Sequence, residues 1–200
     1  LNKALETVSD VFTISLEDHV SRFDGLSTRK KLDMLVEERN FPVKRCDEVF
    51  SLKQYYTAES IEEVVKPNLS LQQDLERLKA EGYILLVASN AIRQTVVKGL
   101  EKSGILHLFD RIYSNEDVKN PKPNPEIYLR AMADYGLSPK ECLIVEDSKH
   151  GKECAAQTGA WVCDVNEVSD TTYESISARI AWVEKYGSDK LTYPAKSKLN

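Results

Sequence analysis

The sequence predicts an α/β protein in which a parallel sheet flanked by helices follows a small all-helical unit. Two apolar runs and one change of periodicity carry that expectation. Tyr83-Ile84-Leu85-Leu86-Val87-Ala88 and Cys142-Leu143-Ile144-Val145 are short, wholly or nearly apolar stretches of the kind that form buried strands. From about Pro67 helical and strand-like segments alternate, whereas the first third of the 200 residues carries no strong strand signal.

The elements follow in order. Thr28 to Glu38 places Leu32, Leu35 and Val36 at helical spacing, with Ser27 or Thr28 as a start cap. Val49, Leu52, Tyr55 and Tyr56 repeat that spacing in a second helix. Leu71, Leu75 and Leu78 line one face of the next helix, which Gly82 ends before the strand 83–88. Thr95 to Lys102 is helical and stops near Gly104; Arg111 to Ser114 is a short strand; Glu126 to Tyr135 is a helix closed at Gly136. Glu141 to Val145 is the strand that leads into two acids, Lys152 to Thr158 a helix up to Gly159, Ala160 to Val165 a further strand, and Tyr173 to Tyr186 a final helix. Strands alternating with helices imply parallel pairing with right-handed crossovers. The expected organisation is a helical unit over residues 1–64, an α/β core over 65–186 and a flexible tail over 187–200.

Composition excludes several classes of function. The formal net charge is −5, from 32 acids against 27 bases, and phosphate-backbone recognition needs a basic face, so nucleic acid is not an expected partner. No apolar run approaches the roughly 20 residues that span a bilayer, so no membrane association is expected. The opening residues lack the charged and apolar regions of a signal peptide, and a chain opening on Leu1 reads as a processed product or a fragment. Cys46, Cys142, Cys154 and Cys163 show no C-x-x-C spacing and read as small buried thiols of a reducing, cytoplasmic compartment.

Three short segments carry chemistry. Glu146 and Asp147 stand at the carboxyl end of a strand, where open α/β sheets place their ligand crevice. Adjacent acids there suit Mg²⁺, which binds through one or two carboxylates, a substrate phosphate and waters. Ser89-Asn90-Ala91 ends the first apolar run with small groups able to donate hydrogen bonds to a phosphoryl oxygen. In Asn120-Pro121-Lys122-Pro123-Asn124-Pro125-Glu126 alternate prolines stiffen the backbone around one lysine. Singly each has an ordinary reading: Asp147 or Ser148 as a helix cap, Ser89-Asn90 as a strand-to-helix turn, Lys122 as a surface lysine. Their joint occurrence in this order favours phosphate chemistry.

In the order strand–Ser, Lys-Pro, strand–Glu-Asp the chain resembles the haloacid dehalogenase-like superfamily of phosphotransferases, and within it the β-phosphoglucomutase-like branch. The resemblance implies a Rossmann-like core with a helical cap inserted near the amino terminus. Gly25-Leu26-Ser27-Thr28-Arg29 resembles the cap loop, Pro67 to Gly82 the helix entering the second core strand, and Asn115-Glu116-Asp117 the end of the third strand. It implies catalytic roles for Ser89, Lys122 and Asp147, Mg²⁺ ligation by Glu146 and Asp147, and substrate contacts from Asn90, Gly25, Thr28 and Arg29. The implied reaction is hydrolysis or isomerisation of a small phosphorylated metabolite, such as a sugar phosphate, through an aspartyl-phosphate.

One family feature is missing. The motif D-x-D-G-T/V, which supplies the attacking aspartate at the end of a central strand, is nowhere in the chain; Phe23-Asp24-Gly25 matches only part of it and follows a polar stretch. Leu1 to Leu5 resembles the helix that follows the motif, which implies that the motif lies before Leu1 and that its strand's neighbours have unpaired edges. Two other expectations stand beside this one: a non-catalytic relic that binds a phosphorylated ligand or a protein partner, and a phosphonate hydrolase using a cap lysine among Lys30, Lys31, Lys44 and Lys53.

Overall fold

The structure, a computed structural model, describes residues 1–187; the expected tail from Ser188 onward lies outside the described residues. The amino-terminal third is helical, as its patterning requires. A single turn over Asn2–Leu5 leads to helix α1 (Thr28–Arg39) and helix α2 (Cys46–Val64), which close over Leu5, Phe23, Leu32, Leu35 and Val49. The Ser27 hydroxyl caps α1 by accepting from the Lys30 N–H, and Asn40 ends it in the left-handed region at φ 54°. A π-helical turn over His19–Phe23, unheralded in the sequence, buries Phe23 and leaves Arg22 outside, where it binds Glu38 at 2.6 Å.

The remainder alternates as expected: helix α3 (Leu69–Ala80), strand β1 (Leu86–Ala88), helix α4 (Arg93–Lys102), strand β2 (Arg111–Tyr113), helix α5 (Glu126–Asp134), strand β3 (Leu143–Glu146), helix α6 (Lys149–Ala156), strand β4 (Trp161–Asp164) and helix α7 (Tyr173–Tyr186). Two element starts differ from expectation by three residues. β1 starts three residues late because Asp110, a turn residue, takes both backbone groups of Leu85: its carboxylate accepts from the Leu85 N–H at 3.0 Å and its own N–H donates to the Leu85 carbonyl at 2.8 Å. α6 starts three residues early because Ser148 caps it, accepting from Gly151 N–H at 3.1 Å, and a glycine in the first turn hides the helical period.

The expected single sheet is, among the described residues, two separate parallel pairs. β1 lies beside β2 with Val87 opposite Ile112, and β3 beside β4 with Val145 opposite Cys163. Backbone groups alternate sides along a strand. Ser89 N–H reaches β2's Tyr113 and Val165 N–H reaches β3's Glu146, so Leu86 and Ala88 on β1, and Leu143 and Val145 on β3, turn theirs the other way. Those two edges border an apolar cavity of about 370 Å³ lined by all four residues. Helices cover both faces: α3 and α7 pack Leu75, Leu78, Ile176 and Ile180 on one, α5 and α6 pack Ile127, Ala131, Cys154 and Ala155 on the other.

The helical unit seats on the core through α2 and α4, where Lys98 and Lys102 both bind Glu62, at 3.0 and 2.7 Å. No helix among the described residues is long and apolar enough to cross a membrane. All four cysteines are free; Cys154 and Cys163 are buried, as expected of small thiols, whereas Cys46 and Cys142 are half-buried.

Candidate active site

β1 ends at Ala88 and the chain turns at once into Ser89-Asn90-Ala91 before α4 begins. The Ser89 hydroxyl accepts from the Ala91 N–H at 3.1 Å, which tightens the turn and leaves the O–H proton to point outward. Asn90 is fully engaged. Its Nδ2 donates to the carbonyls of Gly25 (2.7 Å) and Lys122 (3.0 Å), and its Oδ1 accepts from the Lys122 N–H (2.9 Å). The Asn90 carbonyl accepts from Asn115 Nδ2 at 2.9 Å. Asn90 therefore joins the β1 turn, the proline-rich loop and the Gly25 loop of the helical unit.

Lys122 runs from that loop into the core and is 7% exposed. Its ammonium donates to the Ala88 carbonyl (3.0 Å), to the Tyr128 hydroxyl (2.6 Å) and to Glu146 Oε1, so all three protons are used. The Tyr128 hydroxyl also bonds Glu146 Oε1. Burial and the adjoining Glu146 carboxylate push the Tyr128 phenol far up, which keeps it protonated and donating. Lys122 thus bridges the carboxyl ends of β1 and β3, strands that share no backbone hydrogen bond.

The two acids at the end of β3 differ in their surroundings. Glu146 is 9% exposed, with Oε1 on Lys122 and Tyr128 and Oε2 against Gly151, where a Cβ would overlap it. Asp147 is exposed, with no partner to its carboxylate among the described residues. It is the acid open to a cation. No cluster of three or more histidine, cysteine, aspartate or glutamate side chains occurs among the described residues, so a cation here would draw on Asp147, water and a ligand oxygen.

The loop of the helical unit before α1 meets this site through Gly25, whose φ of +74° needs glycine and whose Cα leaves no room for a Cβ beside Ser148 Oγ, at 2.8 Å. Arg29 is not brought to the site. Thr28 is buried at the start of α1, and Arg29 turns to Asp47 at 2.5 Å and lies over the Phe50 ring. Tyr128 and Gly151 were not anticipated. Tyr128 reads in the sequence as an apolar position of α5 beside Ile127, Ala131 and Met132, and Gly151 as a gap in the period of α6.

Comparison with known proteins places this geometry. The family model for haloacid dehalogenase-like hydrolases matches residues 2–165. Pyrophosphatase PpaX of Bacillus velezensis is 34% identical over 124 residues, 59% of this chain and 57% of that protein. A phosphorylated carbohydrates phosphatase of Thermotoga maritima is 28% identical over 144 residues, 72% of this chain and 66% of that one. The match thus spans little more than half the length of PpaX. Among solved structures, a β-phosphoglucomutase from Clostridium difficile superposes with a TM-score of 0.74 at 21% identity, over 89% of this chain and 86% of that one, a likeness of fold. A predicted phosphoglycolate phosphatase from Haemophilus somnus gives 0.65 at 26% identity, over 80% and 73%. With a family model covering most of its length and the Ser89, Lys122 and Asp147 turns converging at the strand ends, the chain belongs to the haloacid dehalogenase-like hydrolase family.

Proposed function

We propose that this chain forms the body of a Mg²⁺-dependent phosphoryl-transfer enzyme that hydrolyses or isomerises small phosphomonoesters, such as sugar phosphates, through an aspartyl-phosphate. The observation that carries the reading is the bridge of Lys122 between the ends of β1 and β3, beside the Ser89 turn and the open carboxylate of Asp147. A relative named as a phosphorylated carbohydrates phosphatase supports the substrate class; one named as a pyrophosphatase, which acts on a phosphoanhydride, supports only phosphoryl transfer. The apolar cavity between β1 and β3, with backbone groups facing it from both edges, suits a further parallel strand. A strand outside these 200 residues would carry the attacking aspartate there, so the carboxylate would emerge beside Ser89, Lys122 and Asp147.

In this mechanism the Ser89 hydroxyl donates to one phosphoryl oxygen and the Lys122 ammonium to another, stabilising charge that grows in the transition state. Lys122 has no spare proton, so it exchanges the Ala88 carbonyl for the phosphoryl oxygen. Asp147 would hold Mg²⁺, which when bound neutralises the phosphoryl oxygens. The helical unit meets the site through the Gly25 loop; how completely it excludes water separates transfer to a sugar hydroxyl from hydrolysis. The four free thiols support a reducing, cytoplasmic setting.

The test is phosphate release from p-nitrophenyl phosphate and hexose phosphates by the full-length protein, with Mg²⁺ and with EDTA. Turnover abolished by EDTA is expected. Phosphate binding without turnover would replace the enzyme with a binding relic. A second reading, phosphonate hydrolysis, draws on Lys31 and Lys53: both are half-buried without an ion-pair partner, and burial pulls both ammoniums down, as a Schiff-base amine requires. Borohydride reduction with a phosphonoaldehyde would leave an adduct on one of them; an unmodified protein would dismiss this reading.

A further inference from the structure

We infer that Tyr128 is a positioning residue of the phosphoryl site, and that Glu146 serves with it to aim Lys122 while a cation is left to Asp147. The inference rests on the phosphoryl-transfer reading above and assigns a role within it. An ammonium has three protons. Two of those on Lys122 are held by buried neighbours: the phenol of Tyr128, and a Glu146 carboxylate walled in by Gly151. The third goes to the Ala88 carbonyl at the end of β1, immediately before Ser89. Two bonds fix the direction of the side chain and one is exchangeable, which is what a group needs if it is to meet a phosphoryl oxygen without swinging out of line.

Tyr128 is suited to this task. It is 7% exposed, and its ring lies 4.6 Å from the Lys122 nitrogen, so the ammonium is confined by the ring as well as by the hydroxyl. The backbone that carries it is set by Ile127, Ala131 and Met132, all buried on the same helix. Its hydroxyl also bonds Glu146 Oε1, the oxygen that receives Lys122. The pair formed by Lys122 and Glu146 is buried, and a buried pair holds only when further hydrogen bonds satisfy its remaining groups. Take away the hydroxyl and one proton of Lys122 has no acceptor, while Glu146 loses its neutral donor.

Tyr128→Phe keeps the ring and the packing and removes only the hydroxyl. Two measurements read the result. The first follows the ¹⁵Nζ–¹Hζ correlation of Lys122 in the 200-residue chain, assigned by its loss in Lys122→Met; it is seen while the ammonium is held away from water. We expect it in the parent and not in Tyr128→Phe, with the same loss in Glu146→Gln as a second variant; its survival in Tyr128→Phe overturns the inference. The second compares turnover of p-nitrophenyl phosphate by the full-length protein, where Tyr128→Phe should lower kcat about 10–100-fold with KM within about twofold, the range found when the support of a site ligand is removed. Unchanged kcat with lowered thermal stability alone also overturns it. If the parent itself shows no turnover, the phosphoryl-transfer reading fails, and the Lys122 correlation still reports whether Tyr128 holds the ammonium.

Discussion

Asn90 and Lys122 are joined side chain to main chain by two hydrogen bonds: Asn90 Oδ1 accepts from the Lys122 N–H at 2.9 Å and Asn90 Nδ2 donates to the Lys122 carbonyl at 3.0 Å. With its other proton on the Gly25 carbonyl, one amide sets the spacing between the β1 turn, the proline-rich loop and the Gly25 loop. Asn90→Ala leaves three part-buried backbone groups unpaired, and a lost stabilisation of about 2–3 kcal/mol is expected at roughly 1 kcal/mol per group. Urea denaturation measures it; a change below about 0.5 kcal/mol would show that water replaces the amide.

Gly151 faces Glu146. A methyl group there would overlap the Glu146 carboxylate and approach Ser148 Oγ to 2.8 Å, so Gly151→Ala should displace Glu146, loosen Lys122 and cost about 1–3 kcal/mol, as overpacked sites do. Thermal unfolding gives the magnitude. An unchanged midpoint would mean that α6 shifts to admit the methyl group.

Asp147 is exposed and has no partner among the described residues, so its role should be separable from folding. Asp147→Asn is expected to leave the unfolding midpoint within the small range of a surface substitution, about 0.5 kcal/mol, while removing most Mg²⁺-dependent turnover. Turnover assayed across a Mg²⁺ titration decides the matter: a variant with parental activity does not use Asp147 to hold the cation.

Acid should loosen the seat of the helical unit. The Lys102 and Lys98 ammoniums beside Glu62 pull its carboxyl from 4.5 down to about 2. A carboxyl whose folded value is depressed contributes stability above its unfolded value and loses it as pH falls, so this contribution is complete above pH 4.5 and disappears towards pH 2. The group is exposed, and salt should weaken the effect. Stability against pH measured for the parent and Glu62→Gln should differ by a constant amount above pH 4.5 and converge as pH falls towards 2; a difference that does not shrink below pH 4.5 would show that the pair adds nothing.

Helices, strands and their alternation were legible along the chain because each rests on local chemistry. Leu32 and Leu35, or Leu71, Leu75 and Leu78, mark a buried helical face by spacing alone, and Ile144 and Val145 mark a buried strand. The motif residues Ser89, Lys122 and Asp147 were legible for a related reason: each sits at a strand end or in a loop stiffened by proline, where residue type announces the turn. The shorter β1 and the earlier start of α6 were not, since Asp110 and Ser148 act through hydrogen bonds whose partners no periodicity reveals.

The sequence by itself determined that this is an α/β chain with a helical unit ahead of it, and that a serine, a lysine and an acid lie near successive strand ends. Tertiary structure decided what those residues do for one another. It made Asn90 a crosslink, sent Arg29 to Asp47, divided the acids into a buried Glu146 and an open Asp147, and brought in Tyr128. The physical reason is that a hydrogen-bond partner is chosen by direction and burial, and both are set only when segments distant in sequence, 24 residues apart for Lys122 and Glu146, are packed against each other.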